Sequence, residues 1–351
     1  MYERYKKMYD PMYKISICKK DEIDDVVEFI DKYWKKDHAL VKSRSLMDWQ
    51  YYNEQNQTYN FIIARNKATG EIHAIEGFIS TSHFDPQISK PMTWGSIWKA
   101  IPDVAPPGLG FVVKKYRETE YDSEYNCEVG ISVDAKKYNT QFKNTIFALN
   151  NWYITNPDIE KYELVECKSH QSSVSHDNNY SNVAYIDIDP EKWYLISDDL
   201  RIPEFKSKDY YANRFFNHPI YKYHAVTLFS SDTEEREVVF YRVLEHSGRK
   251  SIFFVDYIGN GHVLKGANSV LVKLLGQYEA EYIVFPCFGV DVESLKEAGF
   301  LNPEETEDVI PLYYEPFLKK NVEILCASKM ESINWMTFKG DADQDRPNII
   351  M

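Results

Sequence analysis

The feature that most constrains this chain is residues 93–117, TWGSIWKAIPDVAPPGLGFVVKKYR. An extended apolar segment, 94–101, runs into a proline-punctuated turn, the triplet Gly108-Leu109-Gly110, and a helical pattern opening at Phe111. A strand feeding a glycine turn at a helix N-terminus builds an anion cradle, because unpaired amide N–H groups and the helix dipole point at whatever sits there. A pyrophosphate fits such a cradle, although a lone G-x-G is more often a plain turn and needs supporting features.

Other elements follow from periodicity. Residues 21–35 carry apolar positions at helical spacing, and 46–53 reads as a second, aromatic-loaded helix. Two hydrophobic runs, 60–65 and 72–80, flank Ala-Thr-Gly-Glu and predict a hairpin turned at Gly70. After the opening segment and its helix come an expected strand at 126–132 and an expected helix at 134–152. The pattern blurs over 154–208, where a Ser/His/Asn-rich stretch at 169–182 reads as linker with irregular strands. It then restarts with a strand pair at 237–244 and 250–258, a helix from about 265 to 278, a strand at 282–286 and a short helix at 292–300. The order strand, strand, glycine turn, helix, strand, helix therefore occurs twice, which implies an internal duplication by pattern alone.

At 351 residues the chain suggests two domains, and 44% hydrophobic with 15% aromatic residues describes a folded protein. A net charge of −13 repels nucleic acid and anionic membrane as a whole. No apolar run approaches the ~18 residues of a membrane span, and the N-terminus lacks an export signal. The five scattered cysteines, none spaced as C-x-x-C, argue against a disulfide framework and a zinc site. A cytoplasmic protein without a metal is expected.

Particular residues carry a resemblance. Ile101-Pro102-Asp103, Gly108-Leu109-Gly110, Ala135-Lys136-Lys137-Tyr138 with Phe142, and the LKEAGF ending at Phe300 resemble motifs of the GNAT acyltransferase superfamily. HALVKSRSLMDWQYYN, NRFFNHPIYKYH, IFFVDYIG and KGDADQDRPN look like the tandem-GNAT sugar N-acyltransferases that decorate nucleotide-linked amino sugars for bacterial surface glycans, dTDP-3-amino-3,6-dideoxyhexose N-acyltransferases above all. The resemblance spans nearly the whole chain, although its individual motifs are loose. Pro107 replaces the basic residue that usually precedes the first glycine, and the second-half turn Gly259-Asn260-Gly261 stands several residues before its helix.

The resemblance implies an α+β fold of two GNAT-like domains, each a twisted, mostly antiparallel sheet flanked by helices. Residues 1–160 would bind acyl-coenzyme A, 161–208 connect, and 209–351 form a degenerate GNAT-like domain contributing to sugar-nucleotide binding. The implied reaction is direct transfer of a 3-hydroxybutanoyl or acetyl group to an amine, for O-antigen or lipopolysaccharide assembly. Coenzyme A would lie along Trp98, Ala100, Ile101, Gly108, Leu109, Gly110, Phe111 and Val112. Tyr138 is the implied acid for the leaving thiolate; a half-buried helix tyrosine is the ordinary alternative.

The base is open. Asp256, a carboxylate inside an apolar strand, is one choice; its ordinary role is as buried partner of Arg214 or Arg242. His73 and His83 are others, and a water chain is a further one. Cys127 has no histidine partner identifiable by spacing and reads as a small apolar strand residue. For the acceptor, Trp49, Tyr52, Trp98 and Tyr223 offer stacking faces, His83 is a further contact, and Arg214, His218 and Arg346 offer donors to a diphosphate. Two other functions stay open: an acyltransferase directed at aminoacyl or peptide acceptors, and a non-catalytic module that binds a nucleotide or acyl carrier. Oligomeric state is not encoded in any feature of the sequence.

Overall fold

The computed structural model describes residues 2–121, 123–168, 182–196, 199–331 and 333–348. The chain divides into two compact units, Met1–Val129 with Arg346–Met351, and Gly130–Asp345.

In the first unit, helix α1 (Tyr2–Tyr9) leads into strand β1 (Tyr13–Lys19), helix α2 (Ile23–Phe29) and helix α3 (Arg44–Tyr51). Strands β2 (Thr58–Asn66), β3 (Ile72–Ser80) and β4 (Met92–Ala100), helix α4 (Leu109–Glu120) and strand β5 (Tyr125–Val129) complete it. The expected hairpin is β2 and β3; Asn66 Oδ1 accepts from the amides of Ala68 and Thr69, and Gly70 takes φ +78°. The strand order is β1-β2-β3-β4-β5, antiparallel except for the parallel pair β4/β5. Tyr9, Tyr13, Ile62, Ala64, Ala74, Phe78, Leu109, Val112 and Val113 form a core that seats α1 and α4 on the sheet. Neither α1 nor β1 was expected from the sequence, although tyrosines at 2, 5 and 9 have helical spacing.

The second unit contains helix α5 (Val133–Gln141), strands β6 (Thr145–Thr155), β7 (Val183–Asp187), β8 (His224–Ser230), β9 (Arg236–His246) and β10 (Arg249–Ile258), and helix α6 (Asn268–Tyr278). Strand β11 (Ala280–Phe288), helix α7 (Val292–Glu297), strand β12 (Ile324–Ser328) and the two-residue strand β13 (Thr337–Phe338) follow. The order is β12-β6-β11-β10-β9-β8-β7, again antiparallel except for one parallel pair, β10/β11. A large apolar cluster including Trp152, Phe254, Leu271, Leu275 and Phe285 packs α6 against this sheet.

One expectation needs correction: 134–152 is not a single helix. Helix α5, capped by Ser132 Oγ on the Ala135 amide, stops at Phe142; Lys143 turns the chain with φ +57°, and Ile146 and Leu149 stand on strand β6. The run TIFALNNWYIT is rich in β-branched and aromatic residues that suit a pleated surface. The 169–182 stretch, expected as linker, lies outside the described residues apart from Asn182. Among the described residues, no helix is long and apolar enough to cross a membrane.

Candidate functional site

Each unit repeats one motif: an antiparallel pair, a glycine turn, a helix, and a strand that returns parallel to the second strand of the pair. In the first unit, β4 and β5 pair in parallel from Met92↔Tyr125 to Gly95↔Glu128. Beyond Gly95 the edge of β4 that faced β5 has no strand partner among the described residues of this unit. The pairing of β4 with β3 shifts register between Gly95 and Trp98, so an extra residue bulges at Ser96-Ile97, where β4 parts from β5. Gly77 stands opposite the bulge; a Cβ there would meet the Phe61 ring at 2.6 Å and Ser96 Oγ at 2.9 Å. An open strand edge with a bulge presents backbone donors and acceptors to an extended ligand.

The edge leads into the glycine turn. Gly108 caps α4 at φ +92°, a conformation that favours glycine, and a Cβ on it would sit 3.0 Å from the Tyr5 ring, which would have to give way. Tyr9 donates its hydroxyl to the Pro107 carbonyl, which fixes α1 behind the turn. The Leu109 amide bonds to the Pro106 carbonyl at 3.1 Å, whereas the amides of Gly108 and Gly110 have no partner among the described residues. Trp98 Nε1 donates to the Gly110 carbonyl at 2.8 Å and ties the end of β4 to the first turn of α4. The helix is held from below by buried charges: Arg117 Nε bonds Glu76 at 2.9 Å, and Lys114 bonds Glu128. Burial pushes the Lys114 amine down to about 8 and raises the Glu76 carboxyl. The turn is therefore rigid, with its free amides at a helix N-terminus.

The remaining residues expected to bind in the first unit lie on short helices and strand ends. Trp49 packs on Phe84 and its carbonyl bonds His83 Nε2 at 2.7 Å. Tyr52 packs at a tilt against Tyr59, beneath Lys20. Arg346 stands beside His38, whose imidazole burial and that guanidinium lower to about 3. Ala100 and Phe111 are half-buried, whereas the side chains of Ile101, Leu109 and Val112 are core, leaving only their backbone for a ligand. His73 bonds Tyr13 and accepts Ile101's amide on its carbonyl, so it is built into the hairpin.

In the second unit Tyr138 is half-buried on α5, its ring 4.7 Å from Phe142. Asp256 is fully buried on β10, and its partner is neither arginine. Lys206 Nζ lies 2.6 Å from Asp256 and 3.0 Å from Asp341, and the Tyr257 amide bonds the same carboxylate at 2.8 Å. Burial raises Asp256 to about 7 against the pull of the ammonium, while its two carboxylates hold Lys206 well above its ordinary value. Arg242 instead grips Asp345 with two bonds of 2.9 and 2.7 Å, and Tyr223, itself buried, donates its hydroxyl to Asp345 at 2.7 Å. Arg214 donates to the carbonyls of Gly340 and Ala342. His218 Nδ1 accepts from the amides of Ile220 and Tyr221, which puts the proton on Nε2; burial lowers its pKa to about 3, leaving a neutral donor.

Sequence reading missed Lys206, Lys339, Asp341 and Asp345, all buried. For Lys339, Asp341 and Asp345 the signal was the charge alternation over 339–345, a pattern that ordinarily marks a solvated loop; Lys206 had none.

No protein-family model and no curated protein matches this sequence. Among solved structures, a conserved protein of unknown function from Enterococcus faecalis V583, described as a probable N-acyltransferase, aligns at 9% identity over 89% of this chain and 71% of its own, with a TM-score of 0.53. A GCN5-related N-acetyltransferase from Kribbella flavida aligns at 11% identity over 78% of this chain, which spans 63% of that protein, less than two thirds, at a TM-score of 0.46. Saccharomyces cerevisiae N-myristoyltransferase with bound myristoyl-CoA aligns at 7% identity over 90% of this chain and 78% of its own, at a TM-score of 0.44. At such identities the first likeness speaks to fold alone. The fold is GNAT-like, α+β, with mostly antiparallel strands flanked by helices.

Proposed function

We propose that this chain is an acyl-coenzyme A-dependent N-acyltransferase whose acceptor is the amine of a nucleotide-linked (dTDP) amino-dideoxy sugar, in a cytoplasmic step of bacterial surface-glycan assembly such as lipopolysaccharide O-antigen. The observation that carries the donor assignment is the continuous feature from the bulge at Ser96-Ile97, along the open edge of β4, to the amides of Gly108 and Gly110, which have no partner among the described residues. An extended pantetheine arm would pair with that edge, and its pyrophosphate would meet the amides and helix dipole. The acceptor assignment rests on the sequence resemblance.

The chemistry is direct. The free amine nitrogen attacks the thioester carbonyl, a tetrahedral oxyanion forms, and the C–S bond breaks to give an amide and the thiol of coenzyme A, while the second proton lost by the nitrogen passes through solvent and restores the one that Tyr138 gives to the sulfur. Backbone N–H groups at the bulge would stabilise the oxyanion, and Tyr138 would protonate the departing sulfur. The ammonium proton of the acceptor passes to water, because Asp256 is sealed from solvent and engaged by Lys206. No cysteine is assigned as nucleophile: Cys127 is fully buried on β5.

The test is thiol release from acetyl-CoA and 3-hydroxybutanoyl-CoA with a panel of nucleotide-linked amino sugars, read with mass spectrometry of the product. Turnover with one sugar nucleotide is expected. Release only with aminoacyl or peptide amines would move the acceptor to that class, and coenzyme A binding without any acceptor-dependent release would reduce the chain to a binding module.

A further inference from the structure

The second unit contains the same donor-binding architecture, already filled. Strands β10 and β11 pair in parallel at Lys250↔Ala280, Ile252↔Ile283 and Phe253↔Val284, then part as β4 and β5 do. Strand β13 lies in the gap. It pairs antiparallel with β11 at Cys287↔Phe338 and Phe288↔Thr337, on the edge opposite β6, which meets β11 at Cys287↔Asn150. Two residues on, the Gly340 amide donates to the Val255 carbonyl of β10 at 2.8 Å, so segment 337–340 bridges the separated strands. The fit leaves no space for a side chain: a Cβ on Gly340 would lie 2.4 Å from the Val255 carbonyl oxygen, and one on Gly289 2.9 Å from that of Trp335.

The glycine turn is filled as well. Glu237, on β9 and 2% exposed, projects its carboxylate into Gly259-Asn260-Gly261. One oxygen accepts from the amides of Asn260 at 3.0 Å and Gly261 at 2.8 Å; the other accepts from Leu264 at 2.7 Å, at the start of the helical segment that leads into α6. The Gly261 amide is shared with the Tyr257 hydroxyl at 2.9 Å. A Cβ on Gly259 would strike that hydroxyl at 2.4 Å and the Glu237 carboxyl carbon at 2.7 Å. Three convergent amides around two oxygens are what a phosphate would receive from such a turn.

We propose that the second unit is a pyrophosphate and pantetheine site occupied by the chain's own atoms, with Glu237 in the place of the phosphate and segment 337–340 in the place of the pantetheine arm. The chain then takes one acyl-CoA, in the first unit. The stoichiometry rests on the donor site described above; the latent anion site in the second unit does not.

Two measurements test it. Calorimetry with coenzyme A should give one site per wild-type chain and, in Gly110→Asp, that one site weakened, with no second site appearing. Two sites in the wild type, or a site of wild-type affinity in Gly110→Asp, would overturn the proposal, whereas no binding to the wild type would overturn the donor assignment and leave the second measurement to decide. That measurement is thermal melting with inorganic pyrophosphate in the Gly110→Asp background, where the first cradle is closed. Adding Glu237→Ala vacates the three amides, so the melting temperature should be lower and should rise with the logarithm of pyrophosphate concentration. Gly110→Asp alone should not respond. A folded double variant indifferent to pyrophosphate would sink the assignment; if the double variant fails to fold, the calorimetric site count decides alone.

Discussion

Replacing Gly110 separates the donor site from the fold. A Cβ at this position would meet Ala100 Cβ at 3.5 Å and Trp98 Nε1 at 3.6 Å, ordinary contacts, and the backbone here is helical. Gly110→Ala should therefore fold at least as well as the wild type, since alanine is favoured over glycine in a helix by up to ~1 kcal/mol. Aspartate in a first helical turn also suits the macrodipole, so Gly110→Asp should keep its melting temperature within a few degrees. What changes is the ligand. A carboxylate ~4 Å from a phosphate costs about 1 to 4 kcal/mol per unit charge at effective dielectric constants between those of water and a protein surface, or roughly 5- to 1000-fold in Kd. Calorimetry with coenzyme A should show that loss for Gly110→Asp and a much smaller one for Gly110→Ala. Pantetheine, which lacks the pyrophosphate, should bind both variants alike, and raising salt should narrow the difference. Equal coenzyme A affinity in the two variants would mean that no phosphate sits over this turn, and the donor site would have to be sought elsewhere.

Other perturbations probe the frame around the site. Gly108→Ala forces a side chain into φ +92° against the Tyr5 ring, so urea unfolding should show a loss of about 1 to 3 kcal/mol, with unchanged stability refuting the tight turn. Arg242→Met strands the buried Asp345 carboxylate and should cost about 3 to 5 kcal/mol; Arg242→Met with Asp345→Leu should recover part of it, and strict additivity would contradict the pairing. Arg242 and Lys339 hold Asp345 at about 2, below its ordinary 3.8, so this stability is fully present above pH ~4 and fades as pH falls toward 2, on the order of 2 kcal/mol; Asp345→Asn should flatten that acid limb of the stability profile. Tyr138→Phe should slow turnover by about 10²-fold or less with donor affinity unchanged, because the hydroxyl acts on charge that develops as the thioester breaks. Wild-type turnover under chemistry-limited conditions would remove Tyr138 from the mechanism.

The parts legible in the sequence were those in which one face of an element is buried by neighbours close in the chain. The hairpin of β2 and β3, the strand and glycine turn into α4, and the pair β9 and β10 all carry strong local patterns. The misread helix at 134–152 shows the limit. Ile146 and Leu149 fall at a spacing that a helix also permits, and the stop at Phe142 depends on Lys143 adopting a left-handed conformation that lysine does not announce. The buried charges were illegible for a different reason. Lys206 meets Asp256 and Asp341, and Arg242 meets Asp345 across 103 residues. Asp256 reads as buried in its apolar strand with an arginine for partner, but Lys206, Asp341 and Asp345 look solvated until the tertiary fold pairs them.

Those charges have a purpose that stability alone does not explain. A buried ion pair gains little over a well-packed apolar pair of the same volume, because desolvation offsets the attraction. What ions and hydrogen bonds supply is register. Segment 337–345 has few large apolar side chains to fix its position by packing, yet it is held at nearly every step. The Phe338 amide bonds Asp341, Lys339 reaches the Leu312 carbonyl, Arg214 takes the Gly340 carbonyl, Lys206 meets Asp341, and Arg242 clamps Asp345. A slip of one residue would break every one of these contacts and leave charges unpaired in the interior, at several kcal/mol each. Such a segment can stand in the gap between β10 and β11 as a fixed strand, and an occupant fixed so tightly leaves that gap closed to an acyl-CoA arm.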